Sequence, residues 1–220
     1  PAGGHGTGPS QKGNPLHQGN SMIAVVDYGM GNLHSVQKAL EHLGFSARVT
    51  SSAQEVLRAR SVVLPGVGAF GDAMLNLRKR SLIEPLREAA ERGTPFLGIC
   101  LGMQLLFASS EERGNFSGLS IFAGRVVRFR TSLRVPHVGW NEIHILKPSP
   151  ILEGIREGDF AYFVHSYYPQ PEEAGIILAT TDYDVDFPSV IGKGNTFGVQ
   201  FHPEKSQDVG LRILKNFGEL

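Results

Sequence analysis

The chain has a single cysteine, Cys100, in the run Gly98-Ile99-Cys100-Leu101-Gly102. The apolar stretch Pro95-Phe96-Leu97 precedes it, and the helical pattern Met103-Gln104-Leu105-Leu106-Phe107 follows. Strand, sharp turn, helix is the expected local order, with small residues at 98 and 102 where backbone must come close. At the tip of that turn, Cys100 would face the free N–H groups of the next helix. These favour thiolate over thiol, and thiolate is the nucleophilic form. The competing reading is a small, inert core side chain, the usual fate of cysteine between apolar neighbours. This stretch alone leaves both readings open.

A second group of chemistry-bearing residues lies far along the chain, where Phe197-Gly198-Val199-Gln200-Phe201 runs into His202-Pro203-Glu204. Pro203 biases His202 towards extended backbone. Residues two apart in an extended segment share a side, so His202 and Glu204 are expected to meet. A carboxylate on one imidazole nitrogen fixes the tautomer and leaves the other nitrogen to exchange a proton with a nucleophile. Singly, His202 reads as an ordinary satisfied histidine and Glu204 as a first-turn helix carboxylate. Together with an elbow cysteine, at the ends of two strands, they point to nucleophilic catalysis.

The elements that must position them follow from apolar patterning. Met22-Ile23-Ala24-Val25-Val26-Asp27 is a nearly unbroken apolar run, as in strands buried on both faces of a parallel sheet. Tyr28 to Asn32 is a glycine-rich turn. A helix then carries Leu33, Val36, Leu40 and Leu43 and stops at Gly44. Phe45–Thr50 and Ser61–Leu64 read as strands around a short helix at Gln54–Ala59. Pro65–Phe70 is a loop, followed by a helix to about Arg78. A further helix starts near Ser81, whose spacing to Glu84 predicts a capping box, and ends at Gly93 before the Cys100 strand. This alternation predicts an α/β fold, an open, mostly parallel sheet with helices on both faces. In such sheets sites lie beyond the carboxyl ends of the strands, so the sequence distance between Cys100 and His202 is no obstacle. Beyond residue 125 the pattern changes. Short β-like runs at 126–129, 142–146, 160–164, 176–180, 189–192 and 196–201 predict antiparallel additions and a return to the main sheet. A helix at 207–217 closes the chain.

Bulk properties limit the function classes. The 220 residues are 41% hydrophobic, enough for one domain with a sizeable core. Basic and acidic residues number 21 each, so charge gives no case for nucleic acid or an anionic membrane. No apolar run is long enough to span a bilayer. One cysteine excludes an internal disulfide framework and fits a reducing, cytoplasmic setting. The six histidines after Met22 lack ligand spacing, so no metal site is expected. Residues 1–21, rich in Gly, Pro, Gln and Asn, read as a disordered leader left from expression, with Met22 as the native start and 22–220 as the functional domain.

Gly98-Ile99-Cys100-Leu101-Gly102-Met103-Gln104 with Phe201-His202-Pro203-Glu204 resembles the class I, or triad, glutamine amidotransferases. Further motifs narrow the likeness. Asp27 to Leu33, Pro65 to Phe70, Pro136 to Glu142, Tyr162 to Tyr167 and His202 to Ser206 are similar, in the same order, to the glutaminase subunit of imidazole glycerol phosphate synthase. The resemblance implies that Cys100 attacks the side-chain amide of glutamine, that His202 moves the proton and that Glu204 orients His202. A γ-glutamyl thioester forms and is hydrolysed. Ammonia passes to a barrel-type cyclase subunit, in a heterodimer that forms the imidazole ring in histidine biosynthesis. No cofactor is implied.

The same likeness implies oxyanion donors at Leu101 and in the Gly66-Val67-Gly68 loop, which could act as a switch by turning an N–H in or out. It makes Gln104, Glu112, Ser166 and Tyr167 the glutamine-holding residues, with Glu111 as the alternative to Glu112. It makes Asn32, Trp140 and Lys205 partner-facing. His165 offers an alternative base, though its apolar strand favours a structural role, and Trp140 reads equally as interface anchor or part-buried ring. Competing functions are a triad glutaminase of another synthase, a cysteine hydrolase or peptidase on a similar fold, and a non-catalytic binding subunit.

Overall fold

A computed structural model describes residues 22–220; the expected leader, with His5 and His17, lies outside the described residues. The sequence alternation appears as β1 (Ile23–Val26), α1 (Leu33–His42), β2 (Ala47–Thr50), α2 (Ala53–Arg58), β3 (Ser61–Gly66), α3 (Phe70–Lys79), α4 (Ile83–Glu91), β4 (Phe96–Cys100) and α5 (Leu101–Leu105). Nine strands follow: β5 (Phe107–Ser110), β6 (Phe116–Ser117), β7 (Phe122–Arg128), β8 (His137–Ile145), β9 (Asp159–His165), β10 (Tyr167–Pro171), β11 (Ile177–Asp182), β12 (Asp186–Lys193) and β13 (Thr196–Val199). The helix α6 (Gln207–Gly218) ends the chain.

Nine strands form the main sheet in the order β2-β1-β3-β4-β13-β12-β11-β8-β9. The first five run parallel, and each later neighbour is antiparallel. Alternate residues of β1 serve opposite faces, which is why the run reads as unbroken apolar. Ile23 and Val25 pack with Val36 and Leu40 of α1 and Ile213, Leu214 and Phe217 of α6. Ala24 and Val26 pack with Met74 and Leu77 of α3 and Leu86 of α4. The last turns of β4 and β13 therefore stand side by side between two apolar layers.

The antiparallel additions do not all join the main sheet. A second sheet has the order β10-β7-β5-β6. Sequence patterning overlooks β5, β6 and β10. β5 takes over where a continued helix through Phe107 is expected, and β6 has only two residues. β10 contains Pro169 and Pro171, which read as breakers. It survives as an edge strand, where a missing N–H costs no ladder bond.

The capping box at Ser81 does not form. Leu82 takes the N-cap position of α4, and no side chain caps it. Ser81 instead closes α3 with a left-handed φ of 56°. Its N–H bonds to Arg78 O, while the Leu82 N–H bonds to Leu77 O at 3.0 Å, a helix-terminating pair. Glu84 is paired with Arg87 at 3.0 Å. Two helices compete for the same residues, and the C-terminus of the first wins.

Candidate active site

β4 lies between β3 and β13, with Gly66 opposite Cys100 on one side and Val199 opposite Ile99 on the other. Chain direction reverses sharply at Cys100, whose φ of 54° and ψ of −112° lie outside the ordinary L-residue regions. Such strain is sustained by tight surroundings. A side-chain carbon at Gly102 would land on the Leu64 carbonyl, and one at Gly98 would come within 2.7 Å of Gly102 O. Both positions are glycine because β3, β4 and α5 meet there with no room for a Cβ. α5 is only five residues long. Its N-terminal influence on Cys100 therefore comes from a few orphan N–H groups rather than a long helix dipole.

Beneath the elbow, Tyr28 is fully buried and donates its hydroxyl to Pro65 O at 2.9 Å. Burial, with the nearby Cys100 charge, pushes the phenol well above its usual range. It serves as a neutral brace that sequence reading passed over as a turn residue.

The chain leaves β13 through Gln200 and Phe201 and delivers His202 beside Cys100. The His202 N–H bonds to Tyr162 O at 2.9 Å, and its carbonyl accepts from the Ser206 hydroxyl at 2.7 Å. Ser206 Oγ in turn accepts from the Tyr162 N–H. His202 and Glu204 do meet, Nδ1 to Oε1 at 2.9 Å. They meet not along an extended segment but through a 3₁₀ turn at Pro203–Lys205, which brings the carboxylate back to the ring. Asn32, expected to face a partner, is half-buried and also reaches the carboxylate. Although it stands at the N-cap of α1, it makes no capping bond there, and its Nδ2 donates to Glu204 Oε1 at 3.4 Å.

The His202 ring and Glu204 carboxylate are 3% and 1% exposed. Burial opposes a charge on the imidazole, but the adjacent Cys100 sulfur and Glu204 carboxylate outweigh it and raise the pKa to about 10. Nε2 has no conventional hydrogen-bond partner. The ring is oriented by one nitrogen and open to Cys100 at the other.

Cys100 and His202 border a cavity of about 330 Å³ with Leu101, Gln104, Glu112, Ser166 and Tyr167. Val67, Gly68, Pro136, Val164 and His165 complete the wall. The size is near the lower end of small-molecule sites, roughly 300–1,000 Å³. A larger cleft of about 540 Å³ between α4 and residues 119–122 has neither cysteine nor histidine. Glu112 lines the cavity and accepts the Phe70 N–H at 2.8 Å. Glu111 points elsewhere, to the Arg128 N–H at 2.9 Å, so the geometry singles out Glu112. Gln104 spends Nε2 on Tyr167 O, 2.9 Å, and Gln200 Oε1, 3.2 Å. It can meet a ligand only as an acceptor, through Oε1. Gly66 is not part of the wall; it ends β3, tucked against Tyr28 and Gly102. Val67, 43% exposed, and Gly68 supply the rim.

His165 has both nitrogens engaged. Nδ1 lies 2.8 Å from Tyr167 O, so it carries the proton, and Nε2 lies 3.2 Å from His137 Nδ1. Burial drives His165 down to about 3 and His137 to about 4, so both rings are neutral. Neither is free to act as a base, and the apolar surroundings of β9 explain why.

On the outer face of β8 and β9, Val138, Trp140 and Phe160 are all about half exposed. The Trp140 ring sits 6.0 Å from Tyr162, over which Lys205 Nζ lies at 5.9 Å. Trp140 is 46% exposed and so is not a core ring.

The sequence profile of the family Glutamine amidotransferase class-I matches residues 24–219, and the chain belongs to that family. Among curated relatives, "Imidazole glycerol phosphate synthase subunit HisH" of Moorella thermoacetica is 54% identical over 198 residues, covering 90% of this chain and 94% of its own. The protein of the same name from Syntrophotalea carbinolica is 53% identical, with 90% and 100% covered. A solved structure titled "Crystal structure of glutamine amidotransferase" aligns with TM-score 0.71 at 19% identity, covering 90% of this chain and 99% of the other. "Structure of PurLQS from Thermotoga maritima" aligns at 0.67 and 18%, covering 91% and 96%. At those identities the structures speak for the fold.

Proposed function

We propose that this chain is the glutaminase subunit of an imidazole glycerol phosphate synthase, with Cys100, His202 and Glu204 as its catalytic residues. The observation that carries the site is the pairing of a strained elbow cysteine with an imidazole that is anchored at Nδ1 and open at Nε2. Glutamine enters with its amide carbon over Cys100. Sγ attacks, and His202 holds the proton that the sulfur gives up. The oxyanion is met by the Leu101 N–H and by an N–H of the Val67–Gly68 rim, each such donor being worth about 100- to 1000-fold in rate. His202 passes its proton to the leaving nitrogen, ammonia departs, and a γ-glutamyl thioester remains. Water then adds with His202 as base, and glutamate leaves.

Glu112 and Gln104 Oε1 are acceptors suited to the α-ammonium of glutamine, and backbone donors near Ser166 and Tyr167 suit its α-carboxylate. No cofactor takes part. The exposed Val138–Trp140–Phe160 face, with Lys205 beside it, is the docking surface for a barrel-type cyclase subunit that uses the ammonia. The setting is cytoplasmic; among the described residues no helix is long and apolar enough to cross a membrane.

Cys100→Ala tests the assignment. Glutamine hydrolysis is expected to vanish, while the cyclase partner still turns over with added ammonium salt. Loss of the ammonium-dependent reaction as well would refute the division of labour.

A further inference from the structure

Gln200 carries a polar amide at a fully buried position directly behind the nucleophile. Its Nε2 lies 3.7 Å from Cys100 Sγ, a distance that suits a bond to a large sulfur acceptor. The rest of the network dictates which end of the amide faces the sulfur. Tyr167 O can only accept, so Gln104 must turn its NH₂ group towards it. The same Gln104 nitrogen donates to Gln200, which must therefore present its oxygen there. That leaves the Gln200 NH₂ group for the sulfur. The backbone around Gln200 is equally held, since its N–H bonds to Ser189 O at 2.9 Å in continuation of the β12–β13 ladder.

From this geometry we infer that Gln200 is a further catalytic residue, donating an N–H to the Cys100 sulfur to stabilise negative charge on it and to hold it in the attacking position. The inference rests on the reading of Cys100 as the nucleophile. A hydrogen bond to a charged acceptor in a buried site is stronger than one between neutral groups. The bond weakens once the sulfur becomes a neutral thioester, so it acts mainly on the free enzyme and on the attacking species. Gln104 then has two duties, holding substrate through Oε1 and holding Gln200 through Nε2.

The test is Gln200→Met, which keeps the volume and removes the donor. On the full chain, the rate of Cys100 alkylation by iodoacetamide is followed against pH alongside glutamine kinetics. The midpoint of the alkylation profile is expected to rise by about one pH unit, and kcat to fall roughly 10- to 100-fold with KM changed less than threefold. A purely structural role would not move the alkylation midpoint. Should Gln200→Met fail to give a cooperative melt, Gln200→Asn draws the amide away from the sulfur in a polar pocket, and the same profile is read. A wild-type chain whose Cys100 neither alkylates nor supports glutamine turnover overturns the site itself. A wild-type chain that does both, with a variant of unchanged profile and kcat, overturns only the role of Gln200.

Discussion

Glu204 meets its neighbours through one oxygen. Oε1 takes the His202 Nδ1–H and the Asn32 amide, while Oε2 is buried without a partner. In the proposed mechanism its role is orientation and charge, so an isosteric amide separates the two. Glu204→Gln is expected to lower kcat for glutamine hydrolysis by about 100- to 10,000-fold, by disfavouring the imidazolium and allowing the wrong tautomer. Steady-state kinetics on the folded variant checks this, and a loss under tenfold would remove Glu204 from the mechanism. At this scale the sequence is most informative for Cys100, His202 and Glu204, because their types and neighbours alone single them out as candidates. It was silent on Gln200, Tyr28 and Ser206. Each is an ordinary residue until packing puts it behind the sulfur, under the elbow or against the His202 carbonyl.

The strand–elbow–helix unit of β4 and α5 converts a core cysteine into an accessible one. Cys100 is 6% exposed, as a core residue would be, yet it opens on the cavity. What makes the unit possible is the absence of side chains at Gly98 and Gly102. Gly102→Ala drives a methyl group into a main-chain carbonyl of β3, which cannot swing aside as a flexible side chain would. The expected loss is on the order of 3 kcal/mol in unfolding free energy, the upper part of the range for overpacked cores. Chemical denaturation measures it, and a variant of wild-type stability would show that the elbow is looser than described. The 3₁₀ turn at Pro203–Lys205 teaches a similar lesson. Proximity of His202 and Glu204 was legible from spacing, but the mechanism of their meeting was not, because Pro203 is as suited to starting a tight turn as to ending a strand.

Across the molecule, a neutral polar chain runs from the exposed Val138–Trp140–Phe160 face to the cavity. Asn141, next to exposed Trp140, donates to His137 Nε2 at 3.3 Å, and His137 and His165 lead on to the Tyr167 carbonyl. The two histidines have a consequence for acid stability. Their folded pKa values, about 4 and about 3, lie below the ordinary value near 6.5. Below pH 6.5 the unfolded chain binds protons that the folded chain refuses, so stability falls with falling pH, while above it they contribute nothing. For buried His165 the slope is about 1.4 kcal/mol per pH unit between roughly 6.5 and 3. Denaturant melts of wild type and His165→Gln should therefore converge as pH falls from 7 to 4.5; a constant gap would show that the fold does not lower the His165 pKa. The sequence by itself determined the layered α/β order and singled out Cys100 and His202 as the candidate pair, because apolar periodicity and rare residue types survive without any knowledge of contacts. Tertiary structure alone decided that Glu112 and not Glu111 lines the cavity, that Asn32 reaches Glu204, that Trp140 is exposed and that two histidines 28 residues apart share a hydrogen bond. Those outcomes depend on sheet order and strand register, which join residues far apart in the chain and leave no mark on local pattern.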